Sequence, residues 1–143
     1  MNPSPPSNSQ AAARLQTSHA KWTPPAWLLE IVAGDDSMIA DLIDVFKTST
    51  ETSLQQMHTA LVTVDVSRLR AAAHRIKGGA KQVGADALAE ACQTLELASS
   101  VAPVSRLGEL VDRCQKLFSE TESEMTSYSN DHKAADPTAP LFR

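Results

Sequence analysis

The 143-residue sequence is short of several residue types and patterns, and each shortage excludes a class of protein. Aromatic residues make up only 4% of it, so a core must be built from aliphatic side chains and alanine, which suits closely packed helices. No run of about 18 apolar residues occurs, which excludes a helix that spans a bilayer. The first ten residues lack the charged and then apolar layout of a secretory signal, so we expect a cytoplasmic protein without membrane insertion.

Cysteine is also scarce. The two cysteines, Cys92 and Cys114, are spaced far from any zinc-ligand pattern. Each lies on an apolar helical stripe, so we predict buried thiols rather than a disulfide or a metal site. The chain has no glycine-rich phosphate loop and no Ser-His-Asp order, so we expect neither an independent enzyme nor a metal or cofactor of its own. The net charge of −4 argues against binding to nucleic acid.

The two ends of the chain differ in composition from its middle. Residues 1–22 are rich in proline, serine, asparagine and glutamine, and residues 129–143 are similarly polar. We predict that both are flexible tails around one folded domain, residues 23–128. Met1 and the composition of these tails favour a free-standing protein over a piece of a hybrid sensor kinase.

Five segments of the middle part have helical hydrophobic spacing. Pro24 and Pro25 open a short segment that stops at Gly34, and a long amphipathic helix follows after an aspartate cap. Residues 61–66 have a local strand-like composition, but the segment is short and isolated, and Asp65 is better interpreted as the cap of the third helix. The third helix stops at Gly84, a fourth follows it, and Pro103 opens the fifth. The sequence therefore predicts an all-α fold, an up-and-down four-helix bundle with an additional short N-terminal helix. We expect this short helix to cover one end of the bundle.

The third helix carries the chemistry. On a helical wheel, its apolar residues form one face that must point to the core: Leu69, Ala72, Ile76, Ala80 and Val83. His74 points almost directly away from this face. Arg70 and Gly78 lie one turn from it on either side, and the ammonium of Lys77 can reach its imidazole or a group bonded to it.

The same helix is basic. Between Val66 and Gln82 it has five cationic residues and no acidic one, although the whole chain is acidic; they are Arg68, Arg70, Arg75, Lys77 and Lys81. Such a surface favours an acidic partner and can hold an anion at the histidine. Gly78 and Gly79 each cost a helix about 1 kcal/mol relative to alanine. Gly79 faces the packed side, where we expect it to let a neighbouring helix approach. Gly78 lies on the open face and would leave space beside His74 for a phosphoryl group.

An imidazole is suited to carrying a phosphoryl group. It has a neutral nitrogen nucleophile at physiological pH, and it is a reasonable leaving group when the phosphoryl group moves on. Such transfer depends mainly on positioning and electrostatics, which a helical surface can supply.

The segment AHRIKGGAKQVGADALAEACQTLE, residues 73–96, closely resembles the histidine phosphotransfer (HPt) domain family of two-component phosphorelays. The matching pattern consists of a histidine, a lysine three residues later, glycines, and a helix with leucine, cysteine and glutamate; it is met by His74, Lys77, Gly78, Gly84, Leu88, Cys92, Leu95 and Glu96. Residues 34–46 also look like the second helix of the family. The resemblance covers roughly residues 26–125.

The resemblance implies specific roles. Nε2 of His74 would accept a phosphoryl group from a receiver-domain aspartate and pass it to another receiver aspartate. Lys77 and Arg70 would stabilise the charge of the phosphoryl group, and Gly78 would keep the site open. Mg²⁺ would be held by the receivers, and this phosphoprotein would be a transfer intermediate without activity from ATP.

The partners that the resemblance implies are receiver domains of response regulators, of a hybrid sensor histidine kinase, or of both. We assign docking of the receiver to Ala71, Arg75 and Lys81 together with exposed parts of the first two helices. Lys81 and Ala80 replace the small residues often found in the family, and Lys81 could alter the choice of partner. We expect a monomer.

Two alternatives stay open at this point. One is an adaptor of the same fold that binds receivers without carrying phosphate. The other is an unrelated helical protein, structural or enzymatic, in which the motif occurs by chance.

Overall fold

The computed structural model describes residues 22–33 and 35–134, and five α-helices account for most of them. They are α1 (Ala26–Val32), α2 (Asp36–Thr63), α3 (Val66–Val83), α4 (Asp86–Ala98) and α5 (Val104–Ala134). The four longer helices form a ring in which α2 packs against α3, α3 against α4, α4 against α5, and α5 against α2. Because the connections between successive helices are short, this is the predicted up-and-down bundle, with the predicted short helix before it.

The helix boundaries follow from local chemistry. Asp35 caps α2 by accepting hydrogen bonds from the backbone N–H groups of Ser37 and Met38, at 3.0 and 3.2 Å. Asp65 caps α3 by accepting from the N–H of Arg68 at 3.1 Å, as predicted, and the strand-like residues before it are the end of α2 and a tight turn. Gly34, the predicted stop of the first helix, lies outside the described residues.

Gly84 ends α3 in a conformation that suits glycine. Its φ of +76° lies in the left-handed region, and a Cβ at this position would lie 3.2 Å from Cγ of Pro25. Both constraints favour the residue without a side chain. The close approach of Pro25 holds the segment before α1 against the C-terminal end of α3.

The core lies on the predicted apolar faces. All five apolar residues predicted to face inward from α3 are buried, as are both cysteines, which are free thiols; the α3 residues are Leu69, Ala72, Ile76, Ala80 and Val83. Burial of a leucine or isoleucine side chain contributes roughly 1.5–3 kcal/mol, so this face fixes the rotation of α3 about its axis. The opposite face of α3, which bears His74, must therefore point to solvent.

The folded domain extends beyond the predicted range, residues 23–128, at both ends. Trp22, assigned to the N-terminal tail, is buried; its Nε1 donates to the carbonyl of Val83 at 2.7 Å and its backbone N–H donates to Glu124 at 3.1 Å. Its ring packs edge-on against Tyr128, with centroids 5.5 Å apart. An aromatic side chain that gains this much contact becomes part of the fold although its sequence neighbours are polar.

At the other end, α5 continues through residues 129–134, whereas their composition predicts that they belong to a C-terminal tail. The ring of His132 stacks on Tyr128 with centroids 3.8 Å apart, and its Nδ1 lies 2.9 Å from the Tyr128 carbonyl oxygen. This pair, four residues apart, stabilises a further turn of polar helix. Residues 1–21 and 135–143, the remainder of the predicted tails, lie outside the described residues.

None of the described helices is long and apolar enough to cross a membrane.

Val64, which follows α2, has a strained backbone. Its φ is +52°, which is rare for a β-branched residue, and the residue is 59% exposed. Val64→Gly should therefore raise the free energy of unfolding, by about 1 kcal/mol, because glycine adopts this conformation without strain. Urea denaturation measures the change.

Val62→Gly is the matched control, because Val62 is even more exposed, at 83%, but lies within α2. Glycine there should lower stability by a few tenths of a kcal/mol. Equal effects of the two substitutions would contradict strain at Val64.

Candidate functional site

His74 lies near the middle of α3, on the face opposite to the core. Its side chain is 67% exposed, while its neighbours Ala73 and Ile76 are buried. The ring is therefore accessible to a partner protein and mounted on a rigid helix. This is the orientation that the sequence predicted for it.

A carboxylate on the neighbouring helix orients the ring. Nδ1 of His74 lies 3.1 Å from Oε2 of Glu96 on α4. An ionised carboxylate can only accept a hydrogen bond, so this contact places the ring proton on Nδ1. The lone pair of a neutral ring is then on Nε2, the nitrogen that does not contact Glu96, and Nε2 becomes the nucleophilic atom.

Lys77 shares the same carboxylate. Its Nζ lies 2.8 Å from Oε1 of Glu96 and donates to Oε1 of Gln93 at 2.8 Å. The lysine side chain is only 15% exposed and that of Glu96 is 21% exposed, so this ion pair is partly shielded from water. We refer to His74, Lys77 and Glu96 together as the carboxylate clamp.

The clamp keeps Glu96 ionised. The hydrogen bond from Lys77 is the largest cause that lowers the pKa of Glu96 below its ordinary value, and the contact with His74 acts in the same direction. Partial burial opposes both but is outweighed. Near neutral pH the carboxylate is therefore available as an acceptor for the imidazole.

Gly78, one turn after His74, leaves open space. A Cβ added there would meet no atom within 4 Å beyond the backbone of its own helix. A Cβ added at Gly79 would lie 3.7 Å from the ring of Phe46, which is an ordinary contact. The expectation that Gly79 lets a neighbouring helix approach more closely than a side chain would allow is therefore not met, and packing explains neither glycine.

The remaining predicted residues surround the clamp without joining it. Arg70, Ala71, Arg75 and Lys81 are all exposed on α3. Arg75 donates a hydrogen bond to the side-chain oxygen of Gln56 on α2, so it lies on the flank opposite to Glu96. Ala71 and Arg75 line a shallow cleft on this α2 flank, and Lys77 lies on the α4 flank.

Two polar residues of the site, Glu96 and Gln93, were not predicted as site residues. The family pattern includes Glu96 without giving it a role at the site, and it does not include Gln93. The helical period of α4 contains a signal. Cys92 and Leu95 point to the core, so Gln93 and Glu96, which follow them, must lie on the flanks of α4. That signal could not show that the flank with Gln93 and Glu96 faces His74.

Among the described residues, no three histidine, cysteine, aspartate or glutamate side chains are grouped so that they could hold a metal ion.

Comparison with known protein families assigns the chain. The sequence pattern of the Hpt domain matches residues 41–126, well over half of the chain, and the match spans α3 and α4 with the carboxylate clamp. The chain belongs to the Hpt domain family. As an Hpt domain, it is a histidine phosphotransfer protein of phosphorelays, and Hpt proteins are phosphotransfer intermediates that interact with receiver domains.

A solved structure agrees with this assignment. The structure of this chain is similar to the crystal structure of histidine-containing phosphotransfer protein B (HptB) from Pseudomonas aeruginosa PAO1, with a TM-score of 0.67 and 28% sequence identity. The similarity covers 74% of this chain and 90% of HptB. Comparison with curated protein sequences gives no significant match. Membership of this family and the similarity to HptB do not favour the alternative of an adaptor that carries no phosphate.

The lowered pKa of Glu96 makes stability depend on pH. A carboxylate whose pKa is lowered by folding stabilises the protein above its unfolded pKa, and this contribution is lost as the pH falls through the folded value. Wild type should therefore be more stable than Glu96→Gln at pH 7, and the difference should begin to shrink near pH 4.5, the ordinary value, and vanish at lower pH.

Thermal unfolding of both proteins from pH 7 to pH 2.5 measures this difference. Glu109→Gln serves as control, because Glu109 is an exposed carboxylate that pairs with Arg106 on its own helix. A difference between wild type and Glu96→Gln that stays constant over this range would show that the Glu96 charge does not stabilise the fold.

Proposed function

We propose that Nε2 of His74 accepts a phosphoryl group from the aspartyl phosphate of one receiver domain and passes it to the aspartate of another. The observation that supports this assignment is the carboxylate clamp, which holds an exposed imidazole with its proton on Nδ1. The described residues include two other histidines, His58 and His132, and neither has a carboxylate at its ring.

The transfer is a simple displacement. The Nε2 lone pair attacks phosphorus, the bond between phosphorus and the aspartate oxygen breaks, and the receiver's carboxylate leaves. The Nδ1 proton remains with the ring and faces Glu96. In the onward step a second receiver's carboxylate attacks phosphorus, the bond between phosphorus and nitrogen breaks, and the electron pair returns to Nε2.

Positive charge stabilises the transferred group. Lys77 is on the same helical face, three residues from His74, and its partial burial strengthens its electrostatic interactions. Glu96 already offsets much of the charge of Lys77, so a doubly charged phosphoryl group needs further cations. Arg70 lies one turn before His74 on the exposed face and is our candidate for this role, with Gly78 leaving room for the group.

The surface around His74 suits docking of a receiver. Large apolar side chains are exposed on α1 and α2; they are Trp27, Ile31, Met38, Leu42 and Val45. A groove with a cavity volume of about 150 Å³ lies between α2 and α3 and includes Val45, Arg75 and Gln82. We propose that this apolar area and the exposed α3 residues Ala71, Arg75 and Lys81 form the docking surface, whose basic part attracts an acidic partner.

We further propose that the protein acts as a monomer in the cytoplasm. Its partners are receivers of response regulators, of a hybrid sensor histidine kinase, or of both, and it does not bind nucleic acid or insert into a membrane. The Mg²⁺ that assists transfer is held by the receiver, and no phosphate is taken from ATP, since the sequence has no phosphate-binding glycine loop.

His74→Gln should abolish transfer of label from a phosphorylated receiver domain, because the amide has no nucleophilic nitrogen. His58→Gln is the matched control: His58 is also exposed on a helix, where its Nε2 lies 3.3 Å from Gln115, and its loss should leave transfer unchanged. Receiver binding should persist in both variants. An acid-labile label that survives in His74→Gln would exclude His74 as the acceptor.

Gly78→Leu should reduce transfer roughly tenfold or more, because its side chain would occupy the space beside His74. Gly108→Leu is the matched control, since Gly108 is also helical with no atom within 4 Å of an added Cβ, but lies on α5. Both variants should fold as stably as wild type or more so. Equal transfer rates for the two variants would contradict a steric role of Gly78.

A further inference from the structure

Two thiols meet in the core between α4 and α5. Sγ of Cys92 lies 3.7 Å from Sγ of Cys114, and both residues are fully buried. Neither thiol is used in the chemistry at His74. A disulfide has a sulfur–sulfur distance of about 2.0 Å, so the two atoms need to approach by less than about 2 Å to form one.

The two thiols are not equivalent. Cys92 donates its S–H to Sγ of Cys114. This hydrogen bond is the largest cause that lowers the pKa of the Cys114 thiol, and the same bond together with burial raises the pKa of Cys92. Cys114 is therefore the better nucleophile of the pair, and Cys92 is in place to react with it in a second step.

The pair lies directly behind the carboxylate clamp. Cys92 is one turn before Glu96 on α4, and the charges of Glu96 and Lys77 both act on its sulfur. The core around Cys92 is closely packed, with Leu88 and Leu95 on the same helix also fully buried. A bond that pulls Cys92 towards α5 must therefore displace the turn that carries Glu96, because a packed interior transmits such shifts.

We propose that Cys92 and Cys114 form a reversible intramolecular disulfide when hydrogen peroxide is present, and that this bond slows phosphotransfer by displacing Glu96 from His74. The Cys114 thiol first attacks the peroxide, whose O–O bond breaks; Cys114 becomes a sulfenic acid and one water leaves. The Cys92 thiol then attacks the sulfenic sulfur, the S–S bond forms, and a second water leaves. Two thiols thus lose two electrons and two protons, and the peroxide is reduced to water.

Burial sets the rate of this reaction. Both thiols are inaccessible in the closed bundle, so the peroxide reaches them only when α4 and α5 separate locally. The oxidation should therefore be slow for the folded protein and should accelerate in mild urea. Thiol reductants reverse it by exchange, again through the open form.

The disulfide is tested by treating the full-length protein with hydrogen peroxide, quenching in acid, unfolding it, and alkylating it with N-ethylmaleimide before intact-mass analysis. We expect a monomer that has lost the mass of two hydrogen atoms and takes up no maleimide, and that regains both reactive thiols after dithiothreitol. Cys92→Ala and Cys114→Ala should each prevent this product. Two alkylated thiols after peroxide, or disulfide-linked dimers as the main product, would overturn the proposal.

The effect on function rests on the proposed phosphotransfer at His74. Oxidised wild type should accept label from a phosphorylated receiver roughly tenfold more slowly than reduced wild type, and dithiothreitol should restore the rate. The Cys92→Ala/Cys114→Ala double variant should transfer at the same rate before and after peroxide. If the disulfide forms and transfer is unchanged, the regulatory role is wrong. If even the reduced protein does not transfer, the proposed function fails, and the mass analysis still decides whether the disulfide exists.

Discussion

The Glu96 carboxylate is the group on which the whole site depends. One of its oxygens accepts a hydrogen bond from Nδ1 of His74, and the other forms an ion pair with the Lys77 ammonium. These contacts join α3 to α4, fix which ring nitrogen is free, and keep a cation beside it. Without the carboxylate, the histidine would be one more polar residue on an exposed helix, free to rotate and to exchange tautomers. Catalytic and transfer sites rely on such support for the group that reacts.

The bundle makes this contact possible by fixing two helices independently. The apolar face of α3 determines that His74 points outward, and that of α4 places Glu96 on a flank of α4, which the packing of α4 against α3 turns towards His74. Helix packing at its usual distance then brings the two side chains within hydrogen-bond reach. The clamp is thus a product of the core, although none of its three members belongs to the core. The proposed redox control rests on the same dependence, because Cys92 lies one turn before Glu96 on α4.

Charge and space divide the surface around His74 into two flanks. On the α4 side the charge of Lys77 is offset by Glu96, so this flank positions the ring more than it attracts a partner. On the α2 side Arg75 lies beside a groove that includes the exposed apolar residues Leu42 and Val45 of α2. A partner that approaches from this side meets both positive charge and apolar surface. The open space at Gly78 lies between the flanks, where the proposed function needs room for a phosphoryl group.

The sequence by itself determined the five helices, the cap at Asp65, the stop at Gly84 and the outward direction of His74. These features depend on neighbours within a few residues or on the 3.6-residue period, which a single sequence contains. Only the tertiary structure decided that Trp22 and residues 129–134 belong to the fold, and that Glu96 holds His74. Trp22 and Tyr128 are 106 residues apart and His74 and Glu96 are 22 apart. Such contacts depend on how helices pack against one another, and the periodicity of a single helix contains no information about which flank its neighbour will cover.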